Sequence, residues 1–262
     1  MTSATAPAVF VDTEAAGRFP GRLAGVLAQA GPLGLGGGVA GLLALGIGAR
    51  VAMRLLALSS GTMGTGIRPE SGAVPGEFTA DGTLFLLLAG TVIGSVIAVI
   101  IGVGLGRWLP REGPRRNAAV CALGSLVPAL ALIDPNNRDF ALFGPTWFAL
   151  VLFATCALGY GALLTIVVGR ASKRADGRAR MVWIGLGVPS LSLTLLASAG
   201  LGTKLIGVPL LAVFTLLLLP RDGKLRWWWG DGVQRTGRLA LTSMTLFAVC
   251  WIVVRAGRIV LA

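Results

Sequence analysis

The chain contains no histidine. Its absence removes the commonest protein ligand for haem, zinc and copper and the usual proton shuttle at neutral pH, so neither a cofactor nor a metal is expected. Charge is scarce as well: 13% of residues are charged, and the 11 Asp and Glu are outnumbered by 23 Lys and Arg. The cysteines, Cys121, Cys156 and Cys250, all fall inside apolar runs with neither CxxC spacing nor a disulfide framework, and they read as small buried hydrophobes. GxSxG, Walker A and HExxH are all missing, which leaves hydrolase, nucleotide-driven and zinc-protease readings without support. The first 30 residues lack the basic start and short apolar core of a signal peptide, and they are read as a loose cytoplasmic tail.

What is abundant is apolar surface. The composition is 55% hydrophobic with 39 glycines, and the mean hydropathy is +0.81, values suited to lipid rather than water. A spanning helix needs roughly 20 apolar residues, because each adds about 1.5 Å through a hydrocarbon core about 30 Å thick. Seven stretches meet or approach that length, at 33–57, 82–106, 117–133, 146–169, 181–200, 204–219 and 239–257. The expected fold is therefore all-α, a polytopic bundle of about seven spans over residues 31–262. Gly90 and Gly94 in the second span, and Gly34, Gly37, Gly38 and Gly41 in the first, have the spacing that lets helix backbones approach closely. Pro128 and Pro209 fall inside spans, where neighbouring helices can re-satisfy the freed carbonyls. The repeated Gly-Val-Pro at Gly187 and Gly207 reads as ordinary kinking.

The net charge of +12 lies in the loops, so it reports orientation and not a nucleic-acid partner. Loops 107–116, 170–180 and 220–238 carry 14 basic residues, whereas the alternate connections carry only Arg68, Arg138 and Lys204. By the positive-inside rule the N-terminus is inside and the C-terminus outside. Residues 200–204 form either a tight hairpin or a re-entrant dip, and both return the chain to the inside. Trp108 and Trp183 then fall at inner helix ends and Trp147 at an outer one, where indole rings favour the interface. Trp227, Trp228 and Trp229, beside Lys224 and Arg226, read as an interfacial anchor on anionic headgroups, with a docking site for a membrane-protein partner as the alternative.

Two groups of residues carry candidate chemistry. Arg50 and Arg54 stand four apart on one face of the first span, near its outer end, in a chain whose outer loops supply Glu70, Glu77, Asp81, Asp134 and Asp139. Pairing of these arginines with the acids makes either a structural clamp or the wall of a pocket for an anionic group, since Arg grips carboxylate and phosphate bidentately. The loop Asp134-Pro135-Asn136-Asn137-Arg138-Asp139 is built of turn formers. Its oxygens suit a hard cation, but its spacing does not match the Ca²⁺ loop and Arg138 opposes a cation.

Gly82-Thr83-Leu84-Phe85, Arg107-Trp108-Leu109-Pro110 and the loop from Asp134 to Pro145 together make the central third of the chain resemble a set of bacterial multi-pass membrane proteins with no assigned activity. The resemblance implies the architecture and transfers no functional residues. The expected function is a non-enzymatic accessory, complex-stabilising or lipid-interacting component, in a membrane-protein complex or a homo-oligomer. The rival is a small-solute or lipid transporter whose outer vestibule uses Arg50 and Arg54. A membrane enzyme built on Asp134 and Asp139 ranks last, because nothing supplies a nucleophile and a base together.

Overall fold

The computed structural model describes residues 19–61, 80–110, 113–134, 145–171 and 231–261. Nearly all of these residues are helical, with no strand among them. The first rod runs through α1 (Phe19–Gly41), a π-helical segment (Leu42–Ile47) and α2 (Gly48–Ser60). It is followed by α3 (Ala80–Val99), which continues into a second π-helical segment (Ile100–Gly104), then α4 (Pro114–Leu132), α5 (Thr146–Ala171) and α6 (Asp231–Leu261). Four of these rods, Leu23–Ser60, Ala80–Gly104, Thr146–Arg170 and Gly232–Leu261, are long and apolar enough to cross a membrane. The expected spans 181–200 and 204–219 lie outside the described residues, as does Trp183. Helix formation starts at Phe19, well before the apolar run that opens at Leu33, so residues 19–30 belong to the first rod.

Glycine decides how the rods meet. Gly37 and Gly41 of α1 face Gly90 and Gly94 of α3 so closely that a methyl group on Gly94 would land on the Gly37 carbonyl oxygen. Without side chains the backbones touch, and the neighbouring polar groups come within bonding range. Ser95 Oγ donates to the Gly34 carbonyl at 2.8 Å, in a buried position. A second close approach joins α4 to α5, where a Cβ on Gly124 would stand 3.2 Å from Gly161 Cα. In lipid, helices gain no hydrophobic drive from meeting each other, so contact area and hydrogen bonds of this kind hold them together.

The two π-helical segments each insert an extra residue into a rod, marked by the Leu105 amide reaching back five residues to the Ile100 carbonyl at 2.9 Å. The first one re-phases the inward stripe, which passes from the glycines of α1 to Ala49, Ala52 and Leu56 of α2. Arg50 and Arg54 consequently fall on the flank of that stripe. α2 ends at Gly61, in the left-handed region (φ 65°), a common helix terminator because glycine carries no Cβ. α4 begins with Pro114 at its first position after Gly113 (φ 85°), and Pro128 sits buried within it without ending it. Pro209 lies outside the described residues.

The contacts fix the direction of every rod. Gly41 meets Gly90 while Gly46 meets Leu87 and Gly102 meets Leu33, so α1 and α3 are antiparallel. Thr165 Oγ1 donates to the Asn117 carbonyl at 3.5 Å while Ala129 and Ile133 pack with Ala149 and Phe153, so α4 and α5 are antiparallel as well. α6 runs parallel to α4: Gly237 lies against Trp108, just ahead of α4, and Arg255 reaches the far end of α4. One end of the bundle therefore gathers the start of α1, the end of α3, the start of α4, the end of α5 and the start of α6. The opposite end gathers Ser60, Ala80, Leu132, Thr146 and Leu261.

Two apolar clusters form the core. The larger holds Tyr160, Leu164, Ile101, Val99 and Val120, and the smaller, toward the Ser60 end, holds Leu56, Ile133, Phe153 and Ile259.

Candidate functional site

The smaller cluster lies toward the end of the bundle at which the described residues among the sequence-expected charges stand. Leu56 of α2, Ile133 at the end of α4 and Ile259 of α6 pack together there, and each brings a polar neighbour. α2 carries Arg50 and Arg54, both half-buried and neither free. Asp134 follows Ile133, is half-buried, and is not free either. Asp81 stands exposed in the first turn of α3, where a negative charge complements the positive end of the helix dipole. Glu70, Glu77, Asn136 and Asp139 lie outside the described residues, as do Trp227, Trp228 and Trp229.

One member of this region was not singled out from the sequence. Arg255 of α6 donates from Nη1 to the carbonyls of Leu130 at 3.1 Å and Ile133 at 3.3 Å. The last carbonyls of a helix have no partner within it, and in an apolar surrounding each unmet carbonyl costs free energy. Arg255 meets that need at the end of α4 and places a cation at the negative end of the helix dipole. Its guanidinium also lies 5.6 Å from the Trp251 ring centroid, and Trp251 stacks on Phe247 at 6.3 Å. A charge inside the apolar run 239–257 was the available signal, since a cation at membrane depth requires a partner. Arg258, on the same last turns of α6, is exposed.

At the other end of the bundle Arg107 lies 5.8 Å from the centroid of the Trp108 ring. The Trp108 ring packs on Gly237 of α6, and its buried Nε1 has no hydrogen-bond partner among the described residues. Arg115, Arg116, Arg170, Arg235 and Arg238 stand at this same end. Trp147, expected at the opposite end, is there, 60% exposed and edge-on to Phe148. The cysteines divide: Cys156 is buried, Cys121 is half-buried and Cys250, expected to be buried, is exposed on α6.

Among the described residues no group of three or more Cys, Asp and Glu side chains is placed to hold a metal. Among the described residues the buried hydroxyls of the core are those of Ser95, Ser125 and Tyr160, and each is spent on a backbone carbonyl, that of Gly34, Cys121 and Gly94 respectively. The arginines of the Ser60 end can neutralise carboxylates, carbonyl dipoles or an anionic group. Comparison with protein families, curated proteins and solved structures finds no match to this chain.

Proposed function

We propose that this chain is a multi-pass component of a bacterial cytoplasmic membrane with a non-enzymatic role: an accessory, complex-stabilising or lipid-interacting subunit. The observation that carries the reading is the state of the core. Among the described residues its two buried serine hydroxyls are satisfied by backbone carbonyls, its helices meet through bare glycine backbone, and the other buried side chains are apolar apart from Tyr160, whose hydroxyl also bonds a backbone carbonyl. A packed interior of that kind suits a scaffold better than a solute path, which needs polar groups at depth.

The reading includes seven crossings with the N-terminus inside. Rod directions support it, because the start of α1 shares one end of the bundle with Arg107, Arg115, Arg116, Arg170, Arg235 and Arg238, as the positive-inside rule requires of a cytoplasmic face. Anionic headgroups are the lipid partners expected at that face.

A second reading, an outer vestibule for an anionic solute or lipid headgroup, is favoured by one feature. Arg50, Arg54 and Arg255 are three half-buried cations toward one end of the bundle.

Native mass spectrometry of the protein gently extracted from its own membrane separates the two. The scaffold reading expects a stoichiometric protein partner that survives Arg50→Ala and Arg54→Ala. A lone chain retaining one anionic lipid or solute, lost in those variants, overturns it in favour of the vestibule.

A further inference from the structure

We propose that Arg255 and Arg258, with Trp251 and Phe247 one and two turns deeper, hold an anionic phospholipid by its phosphate in the leaflet at the Ser60 end of the bundle. The proposal rests on the reading of this chain as a lipid-interacting membrane component, and adds to it the site and the headgroup chemistry.

Phe247, Trp251, Arg255 and Arg258 follow one another at intervals of four, four and three residues, so they share one face of α6. The neighbouring face is the one that packs, since Ile252 and Ile259 belong with the smaller apolar cluster. On the shared face the rings of Phe247 and Trp251 are both exposed and stack at 6.3 Å with 13° between their planes. Arg258 is exposed as well. It stands 20 residues after Arg238, which lies at the opposite end of the bundle. At about 1.5 Å per residue the two are about 30 Å apart, the thickness of the hydrocarbon core. Arg258 therefore reaches one headgroup layer when Arg238 reaches the other, and Arg255 stands about 5 Å deeper.

The protein uses only part of Arg255. Its Nη1 donates to the carbonyls of Leu130 and Ile133, whereas its Nε and Nη2 groups make no hydrogen bond among the described residues, and Arg258 makes none there at all. Two of the five N–H donors of that guanidinium are thus spent on the end of α4, while three donors and the whole charge are left over. Carbonyl dipoles do not neutralise a cation, and a cation at this depth needs a counter-charge. Phosphate oxygens match the planar fork of arginine, and headgroup phosphates lie at this level of the bilayer. A second arginine one turn further on favours a net negative lipid over a zwitterionic one, whose own cation would be repelled. The aromatic pair selects lipid over a free anion, because it offers an apolar ledge that only an acyl chain can cover.

Photocrosslinking in vesicles tests this. The full chain is reconstituted into phosphatidylcholine vesicles doped with phosphatidylglycerol that carries a diazirine on an acyl carbon close to the headgroup, and adducts are mapped by peptide mass spectrometry after irradiation. Adducts are expected on residues 247–258, roughly fivefold fewer in Arg258→Ala, and scarce with a phosphatidylcholine probe of the same design. Arg258 is exposed and bonds to no described residue, so its truncation leaves the fold intact. Unchanged adducts in Arg258→Ala, or equal adducts from the two probes, overturn the proposal. Suppression by the water-soluble headgroup glycerophosphoglycerol overturns it in favour of a free anion. A chain that floats with the vesicles but gives no adduct on 247–258 overturns the site alone. A chain that does not float with them overturns the membrane reading, and the site with it.

Discussion

The hydroxyl of Tyr160 donates to the carbonyl oxygen of Gly94 at 2.7 Å, from α5 to α3, in a fully buried position. Gly94 is also the residue whose missing side chain admits the backbone of α1 at Gly37 and Gly41. One level of the bundle thus ties three rods together through a single carbonyl group and its glycine.

Tyr160→Phe keeps the ring and removes only the hydroxyl. The expected loss is about 1 kcal/mol, the usual net worth of such a bond between membrane helices, read as a fall of roughly 2–4 °C in the thermal midpoint of the detergent-purified protein. Tyr160→Ala removes the ring too, and the cavity it leaves raises the cost to roughly 3–5 kcal/mol, as for other large-to-small aromatic changes. Equal effects for the two variants would mean that the hydrogen bond, and not the packing, carries the site.

Glycine substitutions separate packing from propensity. Gly94→Ala puts a methyl group into the Gly37 carbonyl and Gly41 Cα, backbone atoms that cannot give way. Gly169→Ala meets nothing within 4 Å on its helix, and the change favours helix by up to about 1 kcal/mol. Opposite signs are expected in thermal unfolding, destabilising for Gly94→Ala and neutral to stabilising for Gly169→Ala. Gly94→Leu should abolish the monodisperse folded species on size-exclusion chromatography.

The seam between α1 and α3 was legible in the sequence because glycines at four-residue spacing have one strong physical use between apolar helices. The helical class and the positions of the long apolar rods were legible for a similar reason: length and hydropathy suffice when the solvent is lipid. The π-helical segments left no trace, since Leu42–Ile47 and Ile100–Gly104 contain the same apolar residues as any span. Arg255 was missed because its role depends on where α4 ends, a relationship across more than 120 residues. Cys250 was misread for the same reason: an apolar run does not say which of its faces meets another helix.

Trp108 and Gly237 should behave as a coupled pair. Gly237→Val pushes a branched side chain into the indole ring, and Trp108→Ala empties the space that the chain would occupy. Each single change is expected to lower stability, while the double variant recovers part of the loss, giving a coupling energy within about 0.5–3 kcal/mol in a double-mutant cycle. Additive effects would show that the ring is held by something other than α6.

Arg255 gives the sharpest contrast with a purely hydrophobic view of α6. By transfer free energy alone, Arg255→Leu should help, since an arginine inside an apolar span carries an insertion cost. The structure gives the opposite sign, because the leucine would leave the Leu130 and Ile133 carbonyls at the end of α4 without their donor. Abandoning a buried acceptor costs about 1–3 kcal/mol, so Arg255→Leu is expected to lower the thermal midpoint despite raising the hydropathy of the helix. Arg255→Lys keeps the charge near the dipole but loses the planar fork that reaches both oxygens, and it should fall between wild type and leucine. Thermal unfolding of the three proteins in one detergent orders them. A leucine variant more stable than wild type would show that the carbonyls find other partners and that Arg255 is retained for binding an anion at that end of the bundle.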